Sequence, residues 1–321
     1  MKGFDNLRGN LKLPPNLAFK TGLISATTVG GMDRTEIFYK NYLSNPKGGN
    51  LGNIRSHDCG DSTEKIAQDL GISGFMTTIS TACSSAANAI MLGARMIKSG
   101  QLDRVLVGGT DALTRFTLNG FNSLKIVSNE PCRPFDQHRK GLNLGEGAAF
   151  LLLESDKSLE VSQNESLALV TGYGNTNDSY HQTASSPEGT GATNAMKQAL
   201  KIAKIKPLEI DYINAHGTAT PNNDQSEGTA FLNVFGKEIP QFGSTKSFTG
   251  HTLAAAGALE AVFSVLALKH RFLPPNLNFK TPIEELGIRP IPDLKKDIEL
   301  KNVLSNSFGF GGNCTSLIFS V

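Results

Sequence analysis

One cysteine and two histidines have the residue types that nucleophilic catalysis requires. Cys83 lies where the apolar run 77–82 gives way to small residues, and His216 and His251 stand in the segments NAHGTAT and SFTGHT. A cysteine between a strand and a helix meets unpaired backbone N–H groups and the helix dipole, which favour a thiolate. Position alone also fits an inert core cysteine. The two histidines favour catalysis, because sites form at the carboxyl ends of parallel strands.

Two charged residues and a glycine-rich turn extend this candidate site. Lys246 precedes His251 by five residues, and Glu260 follows His251 by nine residues inside an apolar helix. A carboxylate in such a helix needs a partner, so it is not expected to be an ordinary surface group. The turn GFGGN (309–313) fits a plain turn, or an oxyanion donor with Phe310 as an aromatic gate.

The segment NNDQSE (222–227) offers two carboxylates that fit either of two roles. Asp224 and Glu227 could bind a metal, or they could form a capping pair on a predicted helix at 223–236, which we prefer. No cysteine pair has C-x-x-C spacing, and no histidine lies at metal-ligand spacing from a cysteine. We therefore expect no metal site.

Composition narrows the class of protein. The 321 residues are 39% hydrophobic and 19% charged with a net charge of +2, which is typical of a globular protein and gives no reason to expect nucleic-acid binding. The N-terminus has no apolar signal-peptide region. The apolar stretch 252–268 is short and interrupted by Glu260, so we expect a buried helix and no membrane span. Four cysteines in a long chain predict free thiols and a reducing cytoplasm.

Buried strands alternate with helices along the chain. Strands that are apolar on both faces predict a mostly parallel α/β sheet with helices on both sides. The predicted strands are 17–29, 74–82, 103–111, 166–174, 210–217 and 240–246. The predicted helices are 61–71 (with Asp61 as N-cap and Gly71 at its end), 83–98, 191–205, 223–236 and 252–268.

The two halves of the chain end alike. Residues 145–155 and 309–320 each place a glycine-rich turn before one apolar strand, which indicates an internal duplication. The polar stretch 156–166 is predicted to be the linker between the two copies. We therefore predict two domains, residues 1–160 with the cysteine and residues 161–321 with the histidines.

Five motifs together resemble those of a known family. The motifs TACSSAANA, RPFDQHRKGLNLGEGAA, NAHGTATPNNDQSE, STKSFTGHTLAAAGALE and NSFGFGGN occur in the order seen in β-ketoacyl-[acyl-carrier-protein] synthases. The resemblance is greatest to the type II elongating enzymes with a Cys-His-His centre, and it covers about residues 19–321. It implies a thiolase-like fold of duplicated βαβ halves in five layers, α-β-α-β-α, and a homodimer.

The resemblance also implies a role for each matching residue. It implies that Cys83 is the acyl-accepting nucleophile and that His216 and His251 bind the malonyl thioester carbonyl. Lys246 and Glu260 would support this pair, and Phe310 would act as a gate. Binding of phosphopantetheine falls to Thr218 and Thr220, and docking of the carrier protein to Lys125. The implied reaction is decarboxylative condensation of malonyl carrier protein with an acyl group on Cys83. The acyl carrier protein supplies the phosphopantetheine arm, and no metal or other cofactor is expected.

Two departures from the family pattern bear on this interpretation. Asn313 and Cys314 stand where the family usually has Thr and Asn, which affects the gate loop. The first strand of the N-terminal half also has no counterpart in the sequence. We expect either a longer natural protein or a gap covered by residues 1–16 or by a partner chain, because an unpaired sheet edge promotes aggregation.

Two alternatives remain open at this point. One is a condensing enzyme dedicated to a polyene or other polyketide, since the same centre serves both pathways. The other is a non-catalytic partner subunit resembling the chain-length factors. The presence of Cys83 and both histidines argues against the second alternative.

Overall fold

The first half of the chain forms a four-stranded sheet. The computed structural model describes residues 19–321, and its first sheet has the order β2-β1-β3-β4. Strand β1 runs parallel to β2 and β3, and β4 runs antiparallel to β3. The strand bounds are Thr21–Ala26 (β1), Met76–Ile79 (β2), Arg104–Asp111 (β3) and Gly147–Glu154 (β4).

The second half forms a five-stranded sheet of order β5-β11-β10-β6-β7. Strand β10 is parallel to β6 and antiparallel to β11, and β11 is antiparallel to β5. A short antiparallel ribbon, β8-β9, lies outside it. The bounds are Leu169–Asn177 (β5), Tyr212–Asn214 (β6), Gln241–Gly243 (β7), Phe272–Leu273 (β8), Lys295–Lys296 (β9), Asn302–Phe308 (β10) and Asn313–Ser320 (β11).

The helices complete a five-layered arrangement. They span Met32–Ser44 (α1), Cys59–Leu70 (α2), Ser85–Lys98 (α3), Arg115–Ser123 (α4), Asp156–Ser162 (α5), Thr190–Ala203 (α6), Pro221–Phe235 (α7), Lys246–Thr249 (α8) and Ala256–His270 (α9). Helices α3 and α9 contact both sheets and form the central layer. Helix α2 covers the outer face of the first sheet, and α6 and α7 cover that of the second. The predicted thiolase-like fold is confirmed.

The strand orders support the predicted duplication. Read from the other edge, the second sheet is β7-β6-β10-β11-β5, and its first four members match β2-β1-β3-β4 in order and relative direction. Among residues 19–321, nothing pairs with the outer edge of β4, where the second sheet has β5. Strand β4 is accordingly half-buried, whereas β11 is buried. Residues 1–16, predicted as a cover, and the start of the predicted strand 17–29 lie outside the described residues.

Several boundaries differ from the sequence predictions for local reasons. Helix α2 begins at Cys59, because Asp58 and not Asp61 accepts the N-cap hydrogen bond from Gly60. The predicted linker 156–166 contains helix α5, which Ser155 caps. Strand β10 was not predicted, since its serines and asparagine look like a loop although the strand is almost wholly buried. The domain boundary at residue 160 stays a prediction.

The most apolar helical stretch lies in the protein core. Residues Leu253–His270 are long and apolar enough to cross a bilayer by composition, but 67% of the stretch is buried inside the protein. The stretch begins with a 3-10 turn, Leu253–Ala255, and continues as α9 between the two sheets. This agrees with the predicted buried helix.

Close packing of α3 on the first sheet depends on one glycine. A Cβ added at Gly93 would lie 2.6 Å from Cγ1 of Val107 and 3.1 Å from Cγ1 of Val105. We expect Gly93→Ala to lower the free energy of unfolding by about 1–3 kcal/mol, because overpacking strains a filled core. Urea denaturation measures this.

Gly120→Ala in α4 is the matched control. Nothing lies within 4 Å of its added Cβ, so the change should be neutral or stabilising by up to about 1 kcal/mol. Equal effects of the two substitutions would contradict the packing argument.

Candidate active site

A strained turn presents Cys83 at the start of α3. Ala82 adopts a left-handed conformation with φ of 53°. Ser85 holds this turn, because its Oγ accepts from the Thr81 N–H at 2.8 Å and donates to the Ala82 carbonyl. The turn 309–312 lies directly against it, since a Cβ on Gly309 would stand 3.2 Å from the Cys83 nitrogen. Only a glycine-rich segment allows this approach.

The buried environment decides the protonation state of Cys83. Burial raises the pKa of the Cys83 thiol to about 12, while the positive charge of Lys246 and the hydrogen bond from the Phe310 N–H act to lower it. The expectation of a resting thiolate is therefore wrong, because desolvation outweighs the helix terminus and the nearby cation. The free site holds a thiol that must lose its proton as it reacts.

The two predicted histidines meet in the interior. His216 follows β6 and His251 follows α8, and their ring centroids are 5.3 Å apart at an interplanar angle of 87°. The backbone of His251 is fixed by a 2.7 Å hydrogen bond from its N–H to the Asn143 carbonyl. Burial lowers the pKa of both rings well below the usual value, and the charge of Lys246 acts in the same direction. Both imidazoles are neutral at pH 7.

A buried ion pair supports His216 and determines which of its ring nitrogens carries the proton. Lys246 Nζ bonds the Glu260 carboxylate and donates to the His216 carbonyl at 2.6 Å. It also lies 3.3 Å from His216 Nδ1. An ammonium can only donate, so Nδ1 is the acceptor and Nε2 carries the ring proton. Burial raises the pKa of Glu260 to about 6 against the lowering effect of Lys246.

Asp224 and Glu227 do not form a capping pair. Helix α7 begins at Pro221, and both carboxylates instead hold backbone N–H groups of neighbouring loops. Glu227 accepts from the N–H groups of His216 and Gly217 at 2.9 and 2.8 Å. Burial raises its pKa to about 7, and these two N–H donors oppose that rise. Glu227 thus fixes the backbone that carries His216.

The other carboxylate serves the loops around the site in a similar way. Asp224 accepts from the Phe135 N–H at 2.7 Å and from the Ala219 N–H at 3.1 Å. The sequence feature that pointed to Asp224 and Glu227 was a pair of carboxylates shortly after the segment that carries His216. The capping interpretation failed because none of their N–H partners belongs to the first turn of α7. His216, Gly217 and Ala219 lie in the loop before this helix, and Phe135 lies in a separate loop.

Asp111 is a further anchor that the sequence interpretation missed. At the end of β3, its carboxylate accepts from the Thr27 hydroxyl at 2.6 Å and the Val29 N–H at 3.1 Å. It also accepts from the Ala254 N–H at 2.8 Å. Asp111 therefore ties the turn after β1 to the segment that follows His251. No local pattern distinguishes it from any acidic residue at a strand end.

The remaining predicted residues lie at increasing distance from the buried centre. Phe310 stacks on Phe121 of α4, with ring centroids 5.7 Å apart. The hydroxyls of Thr218 and Thr220 are 2.9 Å apart in the loop after His216. Lys125 is exposed, in the turn that follows α4. Within residues 19–321, no cluster of three or more His, Cys, Asp or Glu side chains is placed to hold a metal ion.

The fold and the site together define the class of this protein. Duplicated βαβ halves carry a buried cysteine beside a backbone N–H donor and a buried pair of neutral histidines, and the charge of Lys246 acts on all three. This is the arrangement of a thiolase-like condensing enzyme. Residues 15–158 match the family model "Beta-ketoacyl synthase, N-terminal domain", and residues 167–280 match "Beta-ketoacyl synthase, C-terminal domain". The chain belongs to the β-ketoacyl synthase family and is an acyl-transferring enzyme.

Individual relatives agree with this assignment. The 3-oxoacyl-[acyl-carrier-protein] synthase 2 of Staphylococcus aureus is 35% identical over 318 residues, covering 96% of this chain and 79% of the relative. A ketosynthase solved with its chain length factor from Xenorhabdus doucetiae is 37% identical, with a TM-score of 0.85 over 94% of this chain and 75% of that one. A type II polyketide ketosynthase solved with its acyl-carrier protein is 27% identical, with a TM-score of 0.91 over 96% and 80%.

The buried ion pair gives a prediction about stability. Lys246→Met leaves the Glu260 carboxylate buried and unpaired, so we expect the free energy of unfolding to fall by about 3–5 kcal/mol. The double variant Lys246→Met/Glu260→Leu removes both charges and should recover most of that loss without recovering activity. Urea denaturation of the two variants measures the effect. A double variant that is no more stable than Lys246→Met would contradict the prediction.

The raised pKa of Cys83 gives a prediction about pH. Because the thiol pKa of about 12 lies above the assay range, the rate of alkylation by iodoacetamide should rise about tenfold per unit between pH 7 and 9. Peptide mapping by mass spectrometry follows the modification of Cys83. A rate that levels off below pH 8 would mean that the site stabilises the thiolate after all.

Proposed function

We propose that the chain catalyses the decarboxylative Claisen condensation of malonyl-acyl carrier protein with an acyl group held as a thioester on Cys83. The products are CO2 and a 3-oxoacyl carrier protein two carbons longer. The observation that carries this proposal is the buried pair of neutral imidazoles, whose ring centroids are 5.3 Å apart. Lys246 is close enough to act both on this pair and on Cys83. Neutral N–H donors in a site without water suit an enolate.

Acyl transfer to Cys83 is the first half-reaction. The sulfur attacks the acyl thioester, the backbone N–H groups of Cys83 and Phe310 bind the oxyanion, and the carrier thiol leaves. The thiol proton departs as the new bond forms, because burial disfavours a free thiolate. A neutral imidazole of this site accepts that proton and passes it to the leaving thiolate.

Decarboxylation of the malonyl group is the second half-reaction. His216, with its proton on Nε2, and His251 donate hydrogen bonds to the thioester oxygen as the C–C bond to the carboxylate breaks. His251 Nδ1 is buried without a hydrogen-bond partner among the described residues, so no neighbouring side chain holds this ring nitrogen. The enolate then attacks the acyl carbonyl, and the Cys83 thiolate leaves and is reprotonated.

The carrier protein supplies the only prosthetic group in this proposal. Its phosphopantetheine arm lies along the hydroxyls of Thr218 and Thr220, which are already oriented by their mutual 2.9 Å hydrogen bond. Exposed Lys125 offers a positive charge to an acidic carrier surface. The complex of the polyketide relative with its acyl-carrier protein supports this choice of partner. No metal or redox cofactor takes part.

We also propose a cytoplasmic homodimer. The outer edge of β2 pairs with no other strand among residues 19–321, and Phe75 and Met76 beside it are 40% and 43% exposed. Antiparallel pairing with the same edge of a second copy would join the two sheets and cover these side chains. Free cysteines throughout the described chain suit a reducing compartment.

A second candidate function is a condensing enzyme for a polyene or other polyketide. It is favoured by the 37% identity to a ketosynthase that works beside a chain length factor. A non-catalytic partner role is disfavoured, since Cys83, His216 and His251 are all present in one site.

One experiment separates these functions. The purified chain is given malonyl carrier protein and acyl carriers of varied length, and the products are identified by mass. Fatty acid elongation predicts one two-carbon addition per acyl carrier. Several successive additions without reduction would favour the polyketide function, and Cys83→Ala should give neither product.

The two histidines should act in decarboxylation. We expect His216→Ala or His251→Ala to slow decarboxylation of malonyl carrier by about 10²–10³-fold, because each removes a donor to the developing enolate. Acyl transfer to Cys83 should persist at a reduced rate. The control is His270→Ala, an exposed histidine at the end of α9. Decarboxylation near the wild-type rate in either site variant would refute the enolate role.

A further inference from the structure

A cluster of polar side chains lies directly behind Cys83. The Oδ1 atom of Asn313 accepts hydrogen bonds from Ser84 Oγ at 2.7 Å, from Asn88 Nδ2 at 2.9 Å and from Asn175 Nδ2 at 2.9 Å. Ser84 follows the nucleophile, Asn88 lies one turn further along α3, and Asn175 lies on β5. A single oxygen thus joins the nucleophile turn of the first half to two strands of the second half.

Donors in this network are shared between acceptors. The one hydrogen of the Ser84 hydroxyl lies between Asn313 Oδ1 and the Thr81 carbonyl, each 2.7 Å from Ser84 Oγ. Asn88 Nδ2 also donates to Thr81 Oγ1 at 2.9 Å, so its Oδ1 must be the acceptor for Thr315 Oγ1 at 2.8 Å and Asn175 Nδ2 at 3.0 Å. Ser84 and Thr315 are fully buried, and Asn88 is 6% exposed. A buried polar network with its partners in place is rigid, and a missing member is costly because the others lose their bonds.

The backbone of Asn313 holds the opposite side of the site. Its carbonyl accepts from the Gly309 N–H at 2.8 Å and so closes the turn that carries Phe310. The Phe310 N–H on this turn lies close enough to the Cys83 sulfur to act to lower the pKa of the thiol. One residue therefore holds the nucleophile turn through its side chain and the oxyanion turn through its main chain.

We propose that Asn313 is a positioning residue for acyl transfer, which sets the Phe310 N–H against the Cys83 sulfur. The inference rests on the proposed role of Cys83 as nucleophile. The histidine pair stands on other segments, held by Lys246, Glu227 and Asn143. Loss of the Asn313 acceptor therefore affects the thioester half-reaction before it affects decarboxylation. A displacement of about 1 Å between reacting groups costs on the order of 100-fold in rate.

The test compares Asn313→Leu, which removes the acceptor at similar volume, with the wild-type chain. Acyl transfer from an acyl carrier to Cys83 and decarboxylation of malonyl carrier without acyl donor are measured separately by mass. Asn313→Leu should slow acyl transfer by about 10–100-fold and change decarboxylation by less than about threefold. It should also slow iodoacetamide labelling of Cys83 between pH 7 and 9, because loss of the Phe310 N–H contact raises the thiol pKa.

Two further variants keep the test decisive if Asn313→Leu does not fold. Ser84→Ala removes the hydroxyl that lies between Asn313 Oδ1 and the Thr81 carbonyl. It should slow acyl transfer by about fivefold, as expected for the loss of one hydrogen bond of about 1 kcal/mol. Ser320→Ala is the control, because it removes hydrogen bonds to Thr171 and Asn302 at the far end of β11. It should leave both half-reactions unchanged.

The outcomes separate this inference from the proposed function. If the wild-type chain does not acylate Cys83, the proposed function itself is wrong. If the wild-type chain acylates but Asn313→Leu or Ser84→Ala does so equally fast, the positioning role is overturned. Equal losses in both half-reactions would also overturn it, since that result describes general loss of structure.

Discussion

The site depends on the buried bond between Lys246 and Glu260. Two opposite charges removed from water are tolerated only when each is fully hydrogen-bonded, and Lys246 meets this condition by also contacting the carbonyl and the ring of His216. The cation therefore does three things from one position. It neutralises a carboxylate in the central helix, fixes the backbone of the loop that carries His216 and adds to the effect of burial in keeping the neighbouring imidazoles neutral.

Desolvation is the second constraint, and it acts on every reactive group in the same interior. It raises the pKa of Cys83 and lowers the pKa of both histidines, so the free site consists of a thiol and two neutral rings. This state is suited to a reaction in which charge develops only on the substrate. Preformed hydrogen-bond donors in a dry pocket stabilise such charge without having to reorganise.

The duplication of the fold explains how distant segments reach this interior. The packing of the two halves brings the Cys83 turn of one against the Phe310 turn of the other, where a Cβ on Gly309 would stand 3.2 Å from the Cys83 nitrogen. The central helices α3 and α9 fill the space between the sheets with small residues, and Gly257 of α9 approaches Ala87 of α3 closely. Polar side chains such as Asn313 join the two halves by directional hydrogen bonds, which fix their relative position more closely than apolar packing does.

The sequence by itself determined the fold class, the positions of most buried strands along the chain and the candidate residues Cys83, His216 and His251. Apolar strands alternating with helices, a repeated glycine-turn ending and five ordered motifs were enough, because each is a local pattern. The positions of Cys83, His216 and His251 after predicted strands already placed each of them at the carboxyl end of a strand. Their burial in one interior agrees with that placement.

Tertiary structure decided whatever depends on partners remote in sequence. The pKa of Cys83 follows from complete burial, which a helix-terminus argument does not include. The polar residues of β10 resemble those of a loop in the sequence. They are buried because they find partners in the interior, such as Glu227, which accepts a 3.1 Å hydrogen bond from Asn306. The tasks of Asp111 and Asn313 are likewise set by groups more than eighty residues away in the chain, since a hydrogen bond depends on distance in space and leaves no periodic pattern in the sequence.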